Sequence, residues 1–321
     1  MTENPQKKSI PFIDILKQAA RIVWQNRFLL WFGLLMALGS PGSFNIGGNK
    51  DWEKQGEPVK NFFEAHWQFV LAIAVLLFAV GIILFLISLV AKAGLIRSVR
   101  DITQNKKTAF RVGWKAGKKY LGKLLGLSLL FFGVTFVVIV VLAVPVVFLA
   151  VAKSWIAAVL VGLLAIAIFI PLIFILALTK AFAEFYIVLP DLRIRGSVEA
   201  GYELLLKNLG NSIIFALLLF AVGLAAGIIL LPVAAVSLAI LVPAGIIFFY
   251  LNKIVFAVFL TFAILMFLAV ILFAASIFQA YKTTAWTLFF QEIARVEKPE
   301  PEKAAEEAIE KSIAPTPASP G

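Results

Sequence analysis

The chain has one histidine, His66, and no cysteine, so thiol, disulfide and nearly all imidazole chemistry is closed to it. His66 stands beside Trp67 with no acid at a metal-ligand spacing, and reads as an interfacial side chain rather than a ligand. Lys180 and Glu184 lie four apart where an apolar run ends, the spacing of an i,i+4 ion pair on one helix face. A charge in the middle of a membrane span is a functional hypothesis by default. The apolar runs hold none, only the hydroxyls Ser128, Thr135, Ser237, Thr261 and Ser276, which ordinarily bond within their own helix or to a neighbour. Ion-coupled transport therefore lacks its usual relay, and a lipid-modifying active site lacks clustered His, Asp or Glu. The expectation is a protein that is not an enzyme, with no catalytic residue, cofactor or metal.

Two further sets concern contact rather than reaction. Arg111, Lys115, Lys118 and Lys119 form a basic stripe, while Phe110, Trp114, Gly117 and Leu121 fall at i, i+4, i+7 and i+11 on another face of the same helix. An apolar face with a basic border lies at a lipid interface and is drawn to anionic headgroups by about 1 kcal/mol per basic residue near the surface. Equally, the stripe could serve only to set topology and brace the bundle; both readings fit. Gly223-Leu-Ala-Ala-Gly227 is a GxxxG pattern that permits close helix approach, within the bundle in preference to between copies. The net charge of +11 brings no groove- or strand-reading feature with it, so nucleic acid is not an expected partner.

The elements that must carry these residues are membrane helices. Residues 69–91, 124–152, 154–179, 212–252 and 254–280 contain no charged side chain, and each is long enough for the roughly 30 Å hydrocarbon core, which needs about 20 helical residues. Composition agrees: 62% of residues are hydrophobic and 15% charged, against about 45–50% and about 25% in a soluble domain. A further span is expected at 22–39, where the short run 28–38 is extended back through Ile22, Val23 and Trp24 with Arg27 snorkelling. A cleaved signal peptide is disfavoured by the long polar leader ahead of it. Pro232 and Pro243 interrupt the run 212–252, which predicts a span to about Leu231 followed by a re-entrant or interfacial piece, in preference to two short spans.

Between residues 92 and 123 stand ten basic residues (Lys92, Arg97, Arg100, Lys106, Lys107, Arg111, Lys115, Lys118, Lys119, Lys123) against Asp101 alone. The positive-inside rule puts this loop in the cytoplasm and the mixed-charge segment 41–67 outside. The basic amino terminus and the connection 180–207 alternate with it, giving six spans with both termini cytoplasmic. Trp67 and Trp155 at the outer side, with Trp24, Trp114 and Trp286 at the inner, read as aromatic belts.

An internal repeat organises the spans. Gly113-Trp-Lys-Ala-Gly-Lys-Lys-Tyr-Leu-Gly-Lys123 aligns without gaps with Gly201-Tyr-Glu-Leu-Leu-Leu-Lys-Asn-Leu-Gly-Asn211, and Phe12, Leu16, Ala19 and Val23 give a weaker third copy. The fold class predicted is all-α: a polytopic bundle of about six spans in three hairpins, each preceded by a cytoplasmic interfacial amphipathic helix, in parallel repeat. The domains are an amino-terminal segment 1–27, a membrane domain 28–295 (spans near 22–39, 68–91, 124–152, 154–179, 212–231 and 254–280) and a tail 296–321 too polar and proline-rich to fold alone.

The basic leading segment, Val188-Leu-Pro-Asp-Leu-Arg-Ile-Arg-Gly-Ser-Val-Glu-Ala-Gly-Tyr202 and Ala280-Tyr-Lys-Thr-Thr-Ala-Trp-Thr-Leu-Phe-Phe-Gln-Glu292 resemble a broad group of uncharacterised prokaryotic six-span proteins. That group is similar to the membrane domain joined to some glycerophosphodiester phosphodiesterases. The resemblance covers about residues 10–295 and implies a cytoplasmic-membrane location and a six-helix bundle. It transfers no catalytic residue, because the hydrolase domain has no counterpart in the sequence. The function expected is that of a non-enzymatic scaffold or accessory at the cytoplasmic face, with the bilayer, anionic headgroups and an unidentified membrane protein as partners. The alternative is a carrier or channel for a small or lipid-like solute.

Overall fold

The computed structural model describes residues 10–39 and 66–297. Lys7 and Lys8, the segment expected outside the membrane up to residue 65, and the tail from residue 298 lie outside the described residues. Among those described, all regular structure is helical, in α1 (Phe12–Gln25), α2 (Phe28–Leu38), α3 (Trp67–Thr103), α4 (Phe110–Val151), α5 (Trp155–Val188), α6 (Ile194–Lys207), α7 (Leu209–Leu251) and α8 (Lys253–Glu297). Five of them, α3, α4, α5, α7 and α8, are long and apolar enough to cross a membrane, and α2 is a shorter apolar helix.

Their lengths dictate the shape. A helix rises about 1.5 Å per residue, so the 42 residues of α4, 43 of α7 and 45 of α8 extend over 60 Å, about twice a hydrocarbon core. The surplus gathers at one end. Buried side chains are concentrated in α1, α2, residues 89–99 of α3, 113–131 of α4, 178–188 of α5, α6, the start of α7 and 280–293 of α8. The remaining halves of the long helices present Leu, Ile, Val and Phe outward. Water would not tolerate such a surface, and lipid requires it.

Aromatic rings fill the packed end. Phe215 of α7 stacks on Phe289 of α8 with centroids 4.3 Å apart, Trp286 meets Phe215 edge-on at 5.1 Å, and Phe12 of α1 reaches both Phe215 and Phe289 at 6.3 Å. Trp286 is thus half-buried, packed by its ring against the core, and Trp114 is half-buried against Phe110. Trp24, Trp67 and Trp155 are exposed.

Glycine sets the closest helix contacts. A methyl group added at Gly94 of α3 would meet the Gly113 carbonyl of α4 at 2.8 Å, and one at Gly117 would collide with the backbone of Val90. On the next pair, a methyl at Gly201 of α6 would lie 2.9 Å from the Ala183 amide of α5. Gly33 of α2 is pressed against Ser276 and Ala280 of α8, where the Ser276 hydroxyl donates to the Leu30 carbonyl at 2.6 Å.

Three helix boundaries differ from expectation. The proposed span 22–39 is broken at Asn26, whose backbone (φ −116°, ψ 71°) leaves the helical region while its N–H and its side-chain amide both donate to the Ile22 carbonyl and close α1, so α1 and α2 are separate helices. The basic segment 110–123 is instead continuous with its span, because nothing between Tyr120 and Leu124 breaks the helix and the face bearing Gly113, Gly117 and Tyr120 is docked on α3. Finally, α7 runs through Pro232 and Pro243 rather than ending near Leu231. Each proline removes one N–H, whereas ending the helix in an apolar environment would leave several backbone groups unpaired. The chain turns only at Asn252, whose side chain accepts the Ile254 N–H at 2.7 Å and caps α8.

Candidate functional site

Lys92, Lys180 and Lys282 are each the first charged residue after an uncharged run, on α3, α5 and α8, the three long helices that run toward the packed end. Running in the same direction, these helices bring the three ammoniums to a similar level. Lys92 forms an ion pair with Glu184 of α5, whose side chain is only 5% accessible against 32% for Lys92. Lys180, one turn before Glu184, feels the field of that carboxylate and of Lys92, while Lys282 feels Lys92. The pairing expected within α5 is therefore replaced by one between helices: Glu184 takes Lys92 as its ion-pair partner.

A cavity of about 600 Å³ opens beside this pair, between α2, α3, α5, α7 and α8. Lys92, Glu184, Gln279, Lys282 and Thr283 provide its polar lining, and Phe174, Phe220, Leu224 and Phe278 its apolar wall. On the adjoining face of α5 a second cavity of about 510 Å³ carries Lys180, Ser128 and Thr135 among Phe85, Leu129, Phe131 and Phe132. Ala177 lines both. The Ser128 hydroxyl is buried with no hydrogen-bond partner. Three cations facing one carboxylate, next to apolar walls, can hold an anion that carries hydrocarbon. Among the described residues no three His, Cys, Asp or Glu side chains are grouped to hold a metal.

The basic stripe is exposed along the start of α4, but its members differ. Lys119 donates to Asp191 of the α5–α6 connection at 2.7 Å, and Lys123 reaches the same carboxylate at 2.6 Å. These hydrogen bonds, that of Lys119 foremost, hold the Asp191 carboxyl down to about 2. Asp191 has φ 63°, a left-handed conformation that Asp tolerates better than most residues. Lys118 lies 5.8 Å over the Trp114 ring, and Arg111 and Lys115 point outward. Of the two glycines in the α7 pattern, Gly223 faces the Phe278 ring, where an added methyl would sit at 3.0 Å, and Gly227 faces open space. The GxxxG contact with close backbone approach is Gly113–Gly117 on α4.

Sequence reasoning passed over Lys92, Lys282 and Gln279 as site residues. One signal was present: Lys92 and Lys180 are separated by the same spacing as Gly113 and Gly201, so the repeat begins before the stretch over which it is obvious. Lys282 had no comparable signal.

None of the curated proteins and none of the solved structures compared with the chain matches it. A family profile does, over residues 22–292, which takes in both cavities and every long helix. On that match the chain belongs to DUF7544, a family of unknown function.

Proposed function

We propose that the protein is a non-enzymatic scaffold or accessory of the cytoplasmic membrane that associates with anionic lipid, crossing the bilayer six times with both termini in the cytoplasm. The observation that carries this reading is the division of the long helices into a packed, lysine-bearing end and an apolar remainder facing outward. A packed end that is rich in lysine belongs on the anionic cytoplasmic leaflet by the positive-inside rule. Six spans require the region 22–39, which holds the last residues of α1 and all of α2, to make one crossing, so that α2–α3, α4–α5 and α7–α8 form three hairpins. The amphipathic segments support this layout: α1 docks on α8, the start of α4 on α3, and α6 on α5. The likeness to the membrane domain joined to some glycerophosphodiester phosphodiesterases belongs to the same proposal and lends it no catalytic residue.

The test is to extract the full chain in mild detergent and identify the lipids and proteins that stay with it. Enrichment of anionic phospholipid over its share in the membrane supports the proposal, and retention of lipid in bulk proportion overturns it.

The cavity beside Lys92 favours a second reading, a carrier for a lipid-like solute. Reconstituted protein that moves labelled phospholipid between leaflets faster than protein-free vesicles would favour the carrier over the scaffold.

A further inference from the structure

We infer that the two cavities on adjoining faces of α5, which meet at Ala177, form one binding site for a phosphate-bearing anionic amphiphile, its phosphate beside the Lys92–Glu184 pair within reach of Lys180 and Lys282 and its hydrocarbon along Phe174, Phe220 and Phe278. The inference rests on the anionic-lipid reading above and narrows it to named residues.

Charge is the first argument. Glu184 neutralises Lys92, but neither Lys180 nor Lys282 makes an ion pair among the described residues, and Lys92 repels both. Lys180 feels the Glu184 carboxylate that Lys92 already pairs with, and Lys282 feels Lys92, so three ammoniums gathered around Lys92 share one carboxylate; an excess of positive charge of this kind attracts an anion, and lysine is a common phosphate ligand. Shape is the second. The cavities, about 600 and about 510 Å³, fall within the about 300–1,000 Å³ of ordinary ligand sites. An inorganic anion would leave their aromatic walls uncovered, whereas an acyl chain would cover them. Depth is the third. Each lysine stands at the end of an uncharged run, where headgroups meet hydrocarbon, and each helix continues beyond it into the packed end. The amphiphile would thus enter sideways from the leaflet, head and chain already at the depth the site offers.

The site differs from the basic stripe on α4. Arg111, Lys115 and Lys118 are exposed and line neither cavity, so they collect headgroups without selecting a molecule.

The experiment follows the melting temperature of the full chain in mild detergent during titration with dioctanoyl phosphatidic acid, dioctanoyl phosphatidylcholine, glycerol 3-phosphate and inorganic phosphate. Two cavity variants act by different means: Lys180→Gln with Lys282→Gln removes charge while keeping the Lys92–Glu184 pair, and Ala177→Trp fills the space shared by both cavities. A third variant, Arg111→Gln with Lys115→Gln and Lys118→Gln, removes the stripe. Phosphatidic acid is expected to stabilise the native chain well above the other three compounds. At about 1 kcal/mol per lysine the double charge variant should weaken that binding roughly 30-fold. Ala177→Trp should weaken it too, and the stripe variant should leave it unchanged. A cavity variant counts only if its ligand-free melt stays close to native, and either one suffices. If inorganic phosphate binds as tightly as phosphatidic acid, the site takes a soluble anion and the inference is overturned. Loss in the stripe variant with retention in the cavity variants overturns the site but leaves the lipid reading standing. Equal response of the native chain to phosphatidic acid and phosphatidylcholine overturns both.

Discussion

Glu184 of α5 pairs with Lys92 of α3, across a helix interface, and not with Lys180 one turn before it on its own helix. The partner matters because the carboxylate is nearly inaccessible, so its charge must be met locally or not at all. The pair ties α3 to α5 at the depth where the two cavities open.

Replacing Lys92 by Met strands that carboxylate. A wholly buried pair loses about 3–5 kcal/mol when one partner is removed, but Lys92 is 32% accessible, so a loss of about 1–3 kcal/mol is expected. Lys180→Met should cost far less. The double change Lys92→Met with Glu184→Leu should recover most of the loss, because two apolar side chains can replace an ion pair without penalty. Denaturant unfolding in detergent measures all three. Equal losses at Lys92 and Lys180 would restore the pairing within α5.

Gly117→Ala should destabilise the chain, since the new methyl meets the backbone of Val90, which cannot rotate away. Overpacking of this kind costs about 1–3 kcal/mol. Gly227→Ala has open space around it and should be neutral or stabilising by up to about 1 kcal/mol through helix propensity. The same unfolding assay compares them; a larger loss at Gly227 would move the close helix contact to α7.

The Asp191 clamp has a defined pH window. Its carboxyl is held at about 2, below the ordinary 3.8. A depressed folded pKa contributes stability that is fully present above the unfolded value and lost as pH falls through the folded one. The stability difference between the native chain and Asp191→Asn should therefore be constant at neutral pH, shrink below about pH 4 and be gone near pH 2. Because the carboxylate is in contact with solvent, added salt should shrink it as well. A difference that survives at pH 2 would mean that Asp191 acts through its backbone conformation and not its charge.

The cysteine-free chain allows topology to be read by single substitutions. With Lys115→Cys an impermeant thiol reagent should label only opened cells, and with Lys153→Cys, in the turn between α4 and α5, it should label intact ones. The reverse pattern would invert the proposed orientation and take the anionic-leaflet argument with it.

The uncharged runs determined by themselves that the chain is helical and apolar enough for lipid, because length and hydropathy act locally and need no partner. Repeat spacing likewise exposed Gly113 and Gly201, both of which the structure buries at helix contacts. Tertiary structure decided what depends on neighbours. The proline rule foresaw a break at Pro232, yet an unbroken helix keeps more backbone groups paired in an apolar setting. Trp286 resembles a belt residue by position, but the closeness of α5, α7 and α8 draws it into a cluster with Phe182, Phe215 and Phe289. The three lysines looked like a topology signal because each is read along its own helix. Only the parallel arrangement of α3, α5 and α8 brings them to a common level, where one carboxylate offsets one of them and two positive charges remain beside apolar walls.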